Sequence, residues 1–196
     1  MKKEMKFNLS FIFGIIILLI SIYMYIKNNT QWHYPAVVGI WLFFDFLAFK
    51  VNKNSSLNLI FSHKIKKFFL WFSILFGLGF FIEVIGRIFL NLWYYTNFLD
   101  TTLIGYLFYP FILMSFKETY CFLKKFSRNK FILTFFSMVI GIIIWEIPNL
   151  FSKDWIYTIP YINFNLLGIN IIVILGWIFL IIPPVYIYNK FIEKIK

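Results

Sequence analysis

The stretch Glu83-Val-Ile-Gly-Arg87-Ile-Phe-Leu-Asn-Leu-Trp93-Tyr-Tyr95 decides how the chain is to be read. It sets a carboxylate and a guanidinium one helical turn apart inside a long apolar run. It then closes on Trp-x-Tyr, an aromatic pair typical of the level where a membrane helix meets water. The same order returns as Glu146, Asn149 and Trp155-Ile-Tyr157. Half of it stands earlier, as Trp32-His-Tyr34 with no acid ahead. The three Trp-x-Tyr pairs are spaced 61 and 62 residues apart, and self-similarity at a fixed period points to a repeated unit.

Composition agrees with a membrane reading. The 196 residues are 61% apolar and only 14% charged, where a soluble domain carries about 25% charged residues. Apolar runs near the bilayer-spanning length recur throughout, so residues 1–196 read as a single transmembrane domain. The formal charge of +11 does not indicate nucleic acid, because the basic residues bracket apolar spans in the positive-inside pattern. Cys121 is the only cysteine, and His33 and His63 lie in different loops. No metal set is therefore expected. With no Gly-rich phosphate loop, Ser/His/Asp constellation or dinucleotide fingerprint, no cofactor is expected either.

Six spans follow. The first runs from about Leu9 to Ile26; it is too long for a signal-peptide core, and Lys27-Asn-Asn-Thr-Gln offers no small-residue cleavage site, so it reads as retained. The others run from about Pro35 to Phe49, Phe68 to Trp93, Thr101 to Phe116, Phe131 to Phe151, and Ile162 to Tyr188, where Pro183-Pro184 should break or kink the last. Residues 50–67 and 117–130 read as basic loops, and 152–160 as a short link. The N-terminus holds three Lys/Arg, residues 50–67 five, residues 117–130 five and the C-terminus three, against only Lys27 and Lys153 in the remaining loops. The expected fold is thus all-α and polytopic. Six transmembrane helices form three repeated hairpins (9–50, 68–116 and 131–188) in the cell membrane, with both termini cytoplasmic.

Charged groups inside hydrocarbon cost ~2.5–3.5 kcal/mol on insertion scales and usually face the bundle interior. Glu83 and Arg87, spaced i, i+4, share a helix face. They form either a plain ion pair or a site in which Arg87 fixes Glu83 or binds an anionic headgroup. Glu146 has no cation nearby in sequence. Pro148 removes a backbone donor close to it, and a desolvated carboxyl suits proton donation. Glu83 precedes Trp93 by ten residues and Glu146 precedes Trp155 by nine. Matching depth on equivalent helices would bring both acids to one cavity as catalytic residues. Arg87, Trp93, Tyr95, Asn149, Trp155 and Tyr157 would then contact substrate. The first hairpin, with Ile22 and Tyr23 at that depth, is scaffold. Asp45 is read as structural, held by Lys50. Asn163, Asn165 and Asn170 either add to the cavity or face the interface, and Gly77, Gly79 and Gly86 permit close helix approach.

The layout Glu146…Trp155-Ile-Tyr157-Thr-Ile-Pro160…Leu167-Gly-Ile-Asn170…Trp177, with Glu83…Trp93-Tyr-Tyr95-Thr…Leu103-Ile-Gly105, resembles the membrane lycopene cyclase domains and the related carotenoid hydratases. The resemblance spans roughly residues 80–177. The chain departs from the family pattern at Asn170, Ile172 and Gly105-Tyr106-Leu107, where that family carries Pro and acidic residues. The resemblance implies redox-neutral acid/base chemistry on a polyene or other isoprenoid lipid. Glu146 would protonate an alkene, Glu83 would act as base, and the aromatic faces would steady a carbocation. Two other readings use the same residues: a small proton-coupled transporter, in which they form a relay, and a non-catalytic membrane subunit or scaffold.

Overall fold

The computed structural model describes residues 3–159 and 164–192. Asn163, together with Pro160, Ile162, Lys194 and Lys196 of the sequence reading, lies outside the described residues. The chain is all-α, with helices α1 (Lys3–Ile26), α2 (His33–Asn52), α3 (Ser56–Phe61) and α4 (Ile65–Glu83) first. Helix α4 widens into a π turn, Val84–Phe89, and strand β1 (Trp93–Tyr95) follows. Next come α5 (Leu103–Tyr106), α6 (Tyr109–Leu123) and α7 (Lys130–Gly141). A second π turn, Ile142–Glu146, leads to α8 (Ile147–Ser152) and β2 (Trp155–Tyr157). A two-residue hairpin, β3 (Asn165–Leu166) and β4 (Ile169–Asn170), precedes α9 (Ile171–Ile187).

Five helical segments are long and apolar enough to cross a membrane: Lys3–Ile26, His33–Asn52, Ile65–Phe89, Lys130–Ser152 and Ile171–Ile192. The expected span at 101–116 has a different form. Its start is broken into a 3-10 turn and the single turn of α5, and the continuous helix is α6, fifteen residues ending at Leu123. At 1.5 Å per residue that is about 22 Å. Helix α6 packs against α2, α4, α7 and α9 at once. Ser115, Lys117, Glu118 and Thr119 on it are buried, so residues 117–123, expected as loop, continue the central helix. A helix enclosed by protein need not present apolar side chains to lipid.

Helix α1 packs on α2 from outside and leaves a row of large apolar side chains exposed, Phe13, Leu19 and Ile20 among them. Its approach is close because a Cβ on Gly39 would stand 2.7 Å from Leu18 Cγ, and one on Gly14 2.9 Å from Leu42 Cβ. Of the three glycines on the third span, Gly79 faces the Tyr109 ring and Gly86 the Trp93 ring, while Gly77 meets nothing. Helix α9 begins later than expected, after a tight turn with positive φ at Leu167 and Gly168, the geometry of a two-residue hairpin. Asn170 then caps α9 by accepting from the Ile172 N–H at 2.9 Å. The helix continues through Pro183-Pro184 rather than breaking there.

Two apolar cores result. One, around Trp32, Trp145, Trp177 and Ile181, lies below the β1–β2 ribbon. The other, around Phe7, Trp71, Leu75, Leu113 and Ile192, lies where the lysines gather.

Candidate functional site

Both acids singled out by sequence sit at a junction between α-helix and π turn. Glu83 is the last residue of α4 and Glu146 the last of the second π turn. Such wide turns recur at functional sites. Pro148, two residues after Glu146, has no N–H to offer the turn behind it.

The two Trp-x-Tyr segments that follow are strands, and they pair antiparallel with each other. Trp93 faces Tyr157, Tyr94 faces Ile156 and Tyr95 faces Trp155. Alternation along a strand puts Trp93, Tyr95, Trp155 and Tyr157 on one face of the ribbon. Backbone bonds extend the pairing at both ends, from Thr96 N–H to the Asp154 carbonyl and from Thr158 N–H to the Leu92 carbonyl. The aromatic pairs expected as separate interface markers are therefore one structural element.

Glu83 is 1% exposed. Its Oε2 accepts from Arg87 Nε at 2.9 Å. Its Oε1 accepts from Tyr95 OH at 2.5 Å, from Trp93 Nε1 at 3.3 Å and from the Tyr109 hydroxyl. Arg87 also donates to Tyr106 OH at 2.6 Å. Three neutral donors and a guanidinium around one carboxylate use up its acceptor capacity. Burial, with Glu83 beside it, pushes the Tyr95 phenol well above its usual range, so it stays a donor.

Glu146 is 3% exposed and stands differently. Its Oε1 accepts from Tyr157 OH at 2.7 Å, and Trp155 Nε1 donates to that same hydroxyl at 3.0 Å. Burial likewise raises Tyr157, with Glu146 adding to it. Among the described residues no cation pairs with Glu146. A cleft of about 690 Å³ opens onto it, lined also by Lys153, Tyr157, Asn165, Gly168 and Asn170. That size suits a ligand of a few tens of atoms.

The site residues thus divide. Glu146, Asn149, Trp155 and Tyr157 line the cleft, whereas Glu83, Arg87, Trp93 and Tyr95 do not. The two acids are each tied to one strand of the same ribbon. Asn149 is committed to the backbone of Trp155, accepting from its N–H at 3.0 Å and donating to its carbonyl at 2.8 Å. Asp45 is not held by Lys50, whose Nζ lies over the Phe46 ring. Its Oδ1 accepts instead from the Leu57 N–H at 2.9 Å, at the start of α3.

Sequence reasoning missed Asp154, which is fully buried. It accepts from Trp32 Nε1 at 2.5 Å and from Ser152 Oγ at 2.8 Å. Trp32, which has no acid ahead of it in sequence, is thus met by Asp154. Three Trp-x-Tyr pairs against two spaced acids was the available signal. Tyr106 and Tyr109 were also missed; their spacing of three near the start of the fourth segment could have marked them as partners for Arg87 and Glu83.

The fold defines an all-α protein whose apolar helices are built to associate with a lipid bilayer. Comparison with family models, with curated proteins and with solved structures found no match.

Proposed function

We propose that this is a multi-pass protein of the cell membrane that binds an isoprenoid chain from the outer half of the bilayer and acts on it by redox-neutral acid/base chemistry. The observation that carries the reading is Glu146: buried, hydrogen-bonded to the Tyr157 phenol, and open to the 690 Å³ cleft. The cleft admits one end of a long polyene rather than the whole chain. Glu146 delivers its proton to a terminal alkene, leaving a carbocation beside its own carboxylate. Return of a proton from a neighbouring carbon to that carboxylate completes an isomerisation or ring closure without any oxidant. Trp155 and Tyr157 offer aromatic faces to the cation. Glu83, surrounded by donors, acts through its fixed negative charge and by setting Tyr95, rather than as a base touching substrate.

Six crossings with both termini cytoplasmic fit this reading. In support, Lys3 Nζ donates to Ser62 Oγ at 2.7 Å, and Ile192 shares a cleft with Lys53 and Lys64. Both ends of the described chain thus meet the lysine-rich turns. A second reading, a non-catalytic membrane subunit, is favoured by one observation: Glu83 and Arg87 satisfy each other and their tyrosines fully. A transporter reading has less support, because Asp45 is bound to α3 rather than linked towards Glu83.

The test is a mass-spectrometric comparison of lipid and pigment extracts from cells expressing the wild type, Glu146→Gln or no protein. A product present only with the wild type, with Glu146→Gln folded but inactive, is expected. Three indistinguishable extracts would remove catalysis and leave the subunit reading.

A further inference from the structure

A second cleft lies at the opposite end of the bundle, independent of the Glu146 site. It holds about 220 Å³, room for roughly seven waters at liquid density. Its walls are the end of α2 (Asn52, Lys53), α3 with the turn after it (Asn58, Ser62), the start of α4 (Lys64, Lys67), and the last helix (Tyr188, Ile192). Three lysines line it, and no carboxylate does among the described residues.

The cleft is built rather than incidental. Lys53 takes a left-handed conformation, φ 58°, and its N–H closes α2 on the Phe49 carbonyl. Asn58 Nδ2 donates to the Lys53 carbonyl at 2.6 Å, and Ser62 Oγ donates to Asn58 Oδ1 at 3.2 Å. Beneath, Lys117 Nζ donates to the Asn54 carbonyl at 3.0 Å and lies 3.6 Å from the Tyr188 ring centroid. Among the described residues, Glu118 beside this floor is already committed: its Oε1 accepts from Lys117 at 3.1 Å, from Ser56 N–H at 2.8 Å and from Ser56 Oγ at 2.6 Å. Helix α4 has Lys64 at its N-cap and no side-chain cap, so its positive end adds to the lysines. Beside the cleft, Ile65, Phe69 and Leu70 of α4 are exposed apolar side chains, a surface for acyl chains.

We infer that this cleft binds the phosphate of an anionic lipid headgroup, with Lys53, Lys64 and Lys67 around it and the acyl chains along α4. Basic pockets between membrane helices take such headgroups. The chemistry would equally accept free phosphate, so the test separates the two sources.

The full chain is placed in nanodiscs of phosphatidylcholine, with or without a minor fraction of phosphatidic acid. Retained lipid is read by native mass spectrometry and stability by thermal unfolding. The triple variant Lys53→Gln, Lys64→Gln, Lys67→Gln should lose about a hundredfold in phosphatidic acid retention, from the usual worth of a lysine facing anionic lipid. The triple variant Lys124→Gln, Lys125→Gln, Lys130→Gln removes the same charge elsewhere and should retain the lipid. Lys→Arg at the three cleft positions should restore binding, which separates loss of the site from misfolding. Equal loss in both Gln triples would overturn the inference in favour of diffuse surface attraction. Stabilisation by inorganic phosphate alone, in neutral nanodiscs, would overturn the lipid source and assign the cleft to the free anion.

Discussion

At the scale of single residues, the Glu83 knot gathers several donors on one buried carboxylate. Removing one donor from a buried carboxylate costs on the order of 1–3 kcal/mol. Tyr95→Phe should fall near the lower end, because Trp93, Tyr109 and Arg87 remain; denaturant unfolding in detergent measures it. Gly86 makes a sharper case. A Cβ there would stand 2.0 Å from Trp93 Cη2, so Gly86→Ala must displace the indole and its bond to Glu83. A loss of ~1–3 kcal/mol and a shifted tryptophan emission are expected, while Gly77→Ala, which meets nothing, should be neutral or slightly stabilising. The two raised phenols carry a pH sign. Tyr95 and Tyr157 hold their protons more tightly folded than unfolded, so their contribution is intact below the ordinary tyrosine value of about 10. It is lost as pH rises through the higher folded values. Unfolding midpoints should therefore stay level through neutral pH and drop above ~10, and the double variant Tyr95→Phe, Tyr157→Phe should show a shallower drop. The acids themselves were legible from spacing alone. Tyr109 and Asp154 were not, since their partners lie 26 and 122 residues away and only the packed bundle joins them.

At the scale of elements, the ribbon is what ties the segment after α4 to the segment after α8. Its register predicts a cross-link: Tyr94→Cys with Ile156→Cys, directly opposed, should oxidise readily, as facing strand positions lie within disulfide reach. Tyr94→Cys with Thr158→Cys, two positions out of register, should not; mobility on a non-reducing gel distinguishes them. Three-residue strands are too short for a period-2 signal, and Trp-x-Tyr already has a sufficient explanation as an interface marker. Hence the motif's recurrence could be read from sequence while its pairing could not. The Trp32-x-Tyr34 pair departs for a local reason. Helix α2 begins at His33, so Trp32 enters a turn instead of a strand and its indole reaches across to Asp154.

At the scale of the whole molecule, apolar run lengths made the membrane class and five of the spans legible. The segment around α6 was harder because its environment is protein on several sides, and polarity there carries no information about lipid. If α6 crosses with the other five, cysteines placed at Asn29 and Lys153 should react with an impermeant maleimide from outside intact cells. Those at Asn54 and Ser127 should react only after permeabilisation. The enclosure of α6 also has a consequence for biogenesis. A helix carrying Lys117 and Glu118 has little reason to leave the translocon on its own, since each such charge opposes partitioning by ~2.5–3.5 kcal/mol at mid-depth. Helices α2 and α4 precede it, but its enclosure is complete only once α7 and α9, which cover it as well, have been synthesised. Nascent chains halted before residue 130 should hold α6 outside the bilayer, and glycosylation-site mapping of staged truncations should show it settling last, after helices made later than itself.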